Sequence, residues 1–259
     1  MAELPAGCAM FAAVHAFDVE ALRHELESGV DPNLLEPVEQ GRAPFTALNY
    51  ALVYRSNQPE ERIRERLACI LVLLEAGASV HYVSMGITPL ECVIKNESAA
   101  YEPVIAALVD AGADVNASGW GRSVLSIAAE KGTAATVTKL ISAGAVDLDR
   151  ALAKAVSNGK IRNCAPLVRA GAALPVAMNA SRIPPPPGYS DTCAYIREIE
   201  ATGSYRAFEK AHRQLLIFVF LPKFPRLPAD MLERIVSLHT TVGVAIPLGG
   251  FLGVTNVNC

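Results

Sequence analysis

The sequence predicts an all-α fold, a solenoid of about five helix-turn-helix units with short finger loops, followed by a small helical tail. Two recurring phrases and one break carry that prediction. The first phrase, apolar-apolar-x-x-Gly-small, occurs as Leu73-Leu74-Glu75-Ala76-Gly77-Ala78 and again at 108–113, 140–145 and 167–172, with a fainter copy ending at Ser28-Gly29-Val30. Each copy has the form of a helix end, because a glycine can take the left-handed conformation that stops a helix. The second phrase precedes the middle stops as Phe45-Thr46-Ala47-Leu48, Ile87-Thr88-Pro89-Leu90 and Arg122-Ser123-Val124-Leu125. The break is Ile183-Pro184-Pro185-Pro186-Pro187-Gly188, which can join neither a helix nor a ladder.

Taken in order, these signals place units near 7–34, 41–80, 84–116, 119–148 and 149–175, within a repeat domain spanning 1–177. In the opening unit Asp18, Glu20, Arg23, His24 and Glu27 put charge on one side, which suits the outer face of a terminal repeat. In the second, third and fourth units Thr46, Thr88 and Ser123 are N-caps, with Pro89 at the first helical position where its missing N–H is harmless. Small residues follow (Ala51, Ala128, Ala129) and allow close approach of neighbouring helices. The polar segment 55–66 lengthens the second unit, and the fifth is short. Residues 178–188 form a Pro-rich linker. The tail, 189–259, starts with a helix capped by Ser190-Asp191 and running to about Ala201, broken by Gly203. A second helix covers 205–220, and a third begins after Leu227-Pro228 with Met231, Leu232, Ile235, Val236 and Leu238 at helical spacing. The last residues, 243–259, are uncharged and rich in Gly and Val, and are expected to be poorly ordered or to patch a neighbouring groove.

These phrases resemble the ankyrin-repeat family, whose period is about 33 residues. Thr88-Pro89-Leu90 matches the family's Thr-Pro-Leu phrase, and Gly112-Ala113-Asp114-Val115-Asn116 matches its Gly-Ala-Asp-Val-Asn ending. The resemblance covers roughly two thirds of the chain. It departs where the family places a histidine after Thr-Pro-Leu, since Asn49, Glu91 and Ser126 stand there, so the hydrogen bonds tying neighbouring turns are weakened or replaced. The tail phrases 195–200, 205–213 and 222–225 resemble those trailing the repeats in some ankyrin proteins of unicellular algae, and bring no activity with them.

Composition removes several functions. The chain has 259 residues, 51% of them hydrophobic, with 23 basic and 26 acidic side chains and a formal charge of −3. It lacks the basic footprint that nucleic-acid binding needs. The apolar runs at 215–221 and 242–257 are too short or too broken for a membrane span. The amino terminus has no basic residue ahead of its mildly apolar run, so an intracellular protein, cytoplasmic or nuclear and not secreted, is expected. Six separated cysteines and five scattered histidines offer no metal site, and the sequence contains no GxSxG elbow, phosphate loop or HExxH. No cofactor and no catalysis are expected. The sequons at Asn96, Asn116 and Asn179 are idle without a secretory signal.

What remains is binding. The resemblance implies a concave surface made by finger tips and first helices, and aligning this chain with the family's variable positions assigns partner contacts to Arg42, Phe45, Tyr50, Tyr54, Met85, Ile87, Trp120 and Arg122. Trp120, the single tryptophan, lies between two glycines; it either anchors a protein partner together with Arg122 or folds onto its own finger. Pro186, Pro187 and Tyr189 fit the Pro-Pro-x-Tyr pattern held by WW domains, against the plainer reading of a stiff spacer. The function expected is a non-catalytic protein-interaction scaffold of unidentified partner. The alternative is a ubiquitin-ligase substrate adaptor that uses the tail, near Leu227-Pro228, to recruit the ligase scaffold.

Overall fold

Every repeated glycine stops a helix as the sequence predicts. Gly29, Gly77, Gly112, Gly144 and Gly171 all have φ between +85° and +101°. In each of the four strong copies the small residue after the glycine donates to the buried leucine five positions earlier, as in Ala78 N to Leu73 O at 2.9 Å and Ala145 N to Leu140 O at 2.9 Å. This is the Schellman arrangement, which satisfies carbonyls that a helix end would otherwise orphan.

The computed structural model describes residues 8–37, 44–53, 60–95, 99–119, 121–175, 187–220 and 231. They form two compact units, Met1–Val146 and Asp147–Cys259, so the division falls inside the stretch that the repeat pattern covers.

The first unit contains four helix pairs, α1 (Cys8–Ala16) with α2 (Val19–Glu27), α3 (Ala47–Val53) with α4 (Glu60–Glu75), α5 (Pro89–Ile94) with α6 (Glu102–Asp110), and α7 (Val124–Lys131) with α8 (Ala134–Ser142). First helices pack on first helices in the order α1, α3, α5, α7, and second helices in the order α2, α4, α6, α8. The result is a two-layered, ankyrin-like stack in which each pair buries its apolar face on its neighbours. The predicted caps hold. Thr46 Oγ1 accepts from Asn49 N at 3.2 Å, and Ser123 Oγ from Ser126 N at 3.3 Å. Thr88 and Glu91 complete a reciprocal capping box with Pro89 behind the cap. Ala47, Ala51, Ala128 and Ala129 are fully buried, which is what lets the first helices lie close.

Asn49, standing where the family has histidine, restores a tie between units, since its Nδ2 donates to Tyr82 O at 2.9 Å. Glu91 and Ser126, at the equivalent positions, bond the cap residues of their own helices. One segment departs from the sequence reading. Residues 60–66 belong to α4 rather than to a polar insertion, and Arg66 is only 7% exposed. Its guanidinium donates to the carbonyls of Ala51 and of Leu52 (2.7 Å) at the end of α3 and to Tyr101 Oη (3.1 Å).

The second unit contains α9 (Leu148–Ser157), α10 (Ile161–Arg169), α11 (Tyr189–Ala201) and α12 (Tyr205–Phe220). Helix α11 packs on both α9 and α10, and α12 on α10 and α11. The start of α11 corrects the expected cap. Gly188, at φ +80°, precedes the helix, and Ser190 and Asp191 lie in its first turn. Gly188 is required there by a close approach, because its backbone abuts Gly159 in the α9–α10 turn and a Cβ on it would lie 2.7 Å from Gly159 O. The third tail helix and residues 243–259 lie outside the described residues, apart from Met231.

Candidate functional site

Three paired fingers precede capped first helices in the first unit. In the first, Leu35 pairs with Thr46 and Glu36 N donates to Phe45 O at 2.8 Å. In the second, Ser84 and Ile87 exchange hydrogen bonds of 3.1 and 3.0 Å around Met85 and Gly86, whose φ values are +53° and +75°. Two consecutive left-handed residues make the tight turn that matches strand twist, a turn that Asn-Gly adopts readily. The third finger pairs Ser118 with Ser123 and Gly119 with Arg122.

Asparagines set the spacing of these fingers. Asn116 Nδ2 donates to Gly144 O at 3.1 Å, while its Oδ1 accepts from Val146 N at 2.9 Å. Asn33 makes the same two bonds two units earlier, to Gly77 O at 3.4 Å and from Ser79 N at 2.7 Å. Each asparagine is held by an aspartate two residues before it, Asp31 or Asp114, which accepts from its amide. Asn116 is thus a structural tie, which leaves its sequon no free amide. Tyr82 further fixes the second finger to the first by donating to Pro44 O at 3.2 Å.

On this frame the predicted contact residues part company. Met85 is 64% exposed, and Ile87 is half-buried across the turn from it. Phe45 is 9% exposed and belongs to the core, because its phenyl ring enters the stack at the foot of the first finger. Tyr50 is half-buried; its hydroxyl lies 2.8 Å from His15 Nδ1, with the two rings 4.1 Å apart. His15 Nε2 faces Glu36 at 3.8 Å, so Tyr50 is positioned by α1 and by the first finger. Arg122 is ion-paired with Glu130 of its own helix pair. Arg42, Tyr54 and Trp120 lie outside the described residues.

Two residues of this face escaped the sequence reading. Val83 is 53% exposed and Leu35 is 46% exposed, so adjacent fingers display uncovered aliphatic side chains. A legible signal existed for Val83, which lies two positions before Met85 in a hairpin arm where side chains alternate. Leu35 had none, since the pairing partner that defines its finger is eleven residues away.

The Pro-Pro-x-Tyr reading gains no support. Such a ligand is extended, whereas Gly188 is left-handed and Tyr189 is the first residue of α11. Among the described residues no group of three or more His, Cys, Asp or Glu could hold a metal ion, and no helix is long and apolar enough to cross a membrane.

No family model matches the chain, and no curated protein does. Among solved structures the chain is similar to the human ASB11 ankyrin repeat domain, with 23% identity over 66% of this chain and 71% of that one and a TM-score of 0.48.

Proposed function

We propose that the chain is a non-catalytic interaction protein whose finger face binds a protein partner through aliphatic side chains at the tips. One observation carries the reading. Met85 occupies a left-handed position that disfavours it and suits Asn or Gly, and it is the most exposed large apolar residue described. A residue that both strains the backbone and exposes an apolar side chain serves neither folding nor solubility, so its use lies in contact with something else. Val83 and Leu35 extend that apolar surface, and Ile87 and Tyr50 flank it. Trp120 and Arg122 of the third finger remain part of the proposed contact, as do Arg42 and Tyr54.

Buried thiols at Cys69, Cys164 and Cys193 fit a reducing compartment, consistent with an intracellular partner. The adaptor alternative rests on residues 227–238, nearly all outside the described set, and no specific observation favours it.

The test is Met85→Asn, which converts the tip to Asn-Gly. Partners captured on the wild-type chain are identified, produced separately and titrated against both proteins. Loss of at least tenfold in affinity, in a variant whose urea midpoint is unchanged or raised, supports the proposal. Unaltered affinity for every captured partner refutes it.

A further inference from the structure

Outside the finger face, the most unusual polar group described is His212 on α12. It is 4% exposed, and among the described residues neither ring nitrogen, both buried, has a hydrogen-bond partner. Its ring stacks on Phe208, with centroids 5.7 Å apart and planes at 22°, and Phe208 meets Tyr195 of α11 edge-on at 5.4 Å. The imidazole is therefore part of an aromatic seam that joins α12 to α11. A neutral ring suits that seam, whereas an imidazolium has two N–H donors and needs acceptors.

We propose that His212 is an acid-sensitive latch, whose neutral form keeps α12 docked on α10 and α11 and whose protonation releases it. No charged group on the helices packed against it bonds the ring, the buried and unpaired Oε2 of Glu198 included. Helix α10 carries Arg162 and Arg169, and α11 carries Asp191, Arg197, Glu198 and Glu200. None bonds either ring nitrogen, and Arg169 is committed to Glu209 at 3.0 Å and to the Tyr205 hydroxyl at 3.4 Å. On α12 itself, Glu209 is held in that pair, and Arg206, Lys210 and Arg213, the last adjacent to the histidine in sequence, carry like charge. Burial pushes the imidazole below its ordinary range. A folded-state value below the unfolded one means that stabilisation is complete above about pH 6.5 and is lost as pH falls through the folded value.

Hydrogen exchange of the full chain, read by peptide mass and corrected for the intrinsic pH dependence of exchange, tests the latch. Between pH 7.5 and 5.0 the amides of α12 in the wild type should lose protection, with a limiting slope of tenfold in the opening constant per pH unit for one linked proton. In His212→Phe the same peptides should keep constant protection. Should the phenyl ring prevent folding, His212→Gln, which is neutral throughout, should likewise lack the pH-dependent step. A wild-type α12 whose protection is flat over this range, or a variant that shows the same loss, overturns the proposal.

Discussion

Arg66 offers the sharpest test of how the first unit holds together. Helix α3 is only seven residues long, so its terminal carbonyls are a large share of its backbone, and the guanidinium of Arg66 serves two of them, Ala51 and Leu52. Among the described residues no carboxylate pairs with it; its third bond and its cation–π contact are both with Tyr101, whose ring centroid lies 5.7 Å away. Arg66→Met keeps the stem volume and removes the donors. Two buried carbonyls then lose their partner, at about 1–3 kcal/mol each. Removing a buried cation relieves desolvation and offsets part of this, leaving a net loss of roughly 2–3 kcal/mol. Arg66→Lys, a point charge without the fork, can serve one carbonyl and should lose about 1–2 kcal/mol. Tyr101→Phe should lose less than about 1 kcal/mol, the worth of one neutral acceptor. Urea unfolding with linear extrapolation measures all three, and hydrogen exchange should show α3 amides opening first in the Met variant. Equal stability of wild type and Arg66→Met, or of Arg66→Lys and wild type, would refute the idea that the fork caps α3.

Three further expectations follow from particular geometries. Gly77→Ala meets no heavy atom within 4 Å and should lose only about 1–2 kcal/mol for its left-handed φ, whereas Gly159→Ala would set a Cβ 2.3 Å from Pro187 O and 2.7 Å from Tyr189 N and should lose more than about 3 kcal/mol; comparable unfolding midpoints would contradict this. Asn116→Ala removes both bonds to the next turn and should lose roughly 1–3 kcal/mol by thermal or urea unfolding. Burial raises the thiols of Cys69 to about 11 and of Cys164 to about 12 from 9.0, so under native conditions at pH 8 iodoacetamide should spare both and label half-buried Cys8 and Cys92, as read by peptide mass. Since these folded values lie above the unfolded one, their contribution to stability is whole below about pH 9 and is lost as pH rises through the folded values.

What could be read from the chain follows the range of the interactions. Helix stops at glycine, Ser and Thr caps and the Pro89 start each depend on six or fewer consecutive residues, so their chemistry is visible in a string. Even the replacement of the family histidine by Asn49 pointed to the right group, and the structure supplied its acceptor, Tyr82 O. Arg66 was misread because a charged residue in a charged stretch looks solvated, and only the packing of α4 on α3 shows the carbonyls it serves. Phe45 lies deeper than its finger position suggests, for the converse reason. An aromatic residue at a finger position has the composition of an anchor, yet its side chain is buried, which local sequence does not show. Gly188 was passed over because its conformation is imposed by Gly159, nearly thirty residues earlier, and local capping rules favoured Ser190.

The asparagine ties also expose a gap that can be repaired. Asn33 and Asn116 lie four residues after the stop glycines Gly29 and Gly112 and reach the next stop glycine's carbonyl and the amide two residues beyond it. The second stop, Gly77, has His81 at that position, with Ser79 in place of the aspartate and its Oγ accepting from His81 N at 3.3 Å. His81 is exposed, and an imidazole can donate to Gly112 O or accept from Asp114 N but cannot do both in the fork geometry of an amide. The junction between the second and third pairs therefore depends on Asn49 and on the bond from Arg66 to Tyr101, bonds made deeper in the stack. His81→Asn combined with Ser79→Asp rebuilds the pattern found on either side. Two added exposed hydrogen bonds should raise stability by about 0.5–1.5 kcal/mol, with hydrogen exchange slowing at residues 112–114. Should stability stay level and exchange there stay unchanged, the ties at Asn33 and Asn116 would be passengers of the fold and not its spacers.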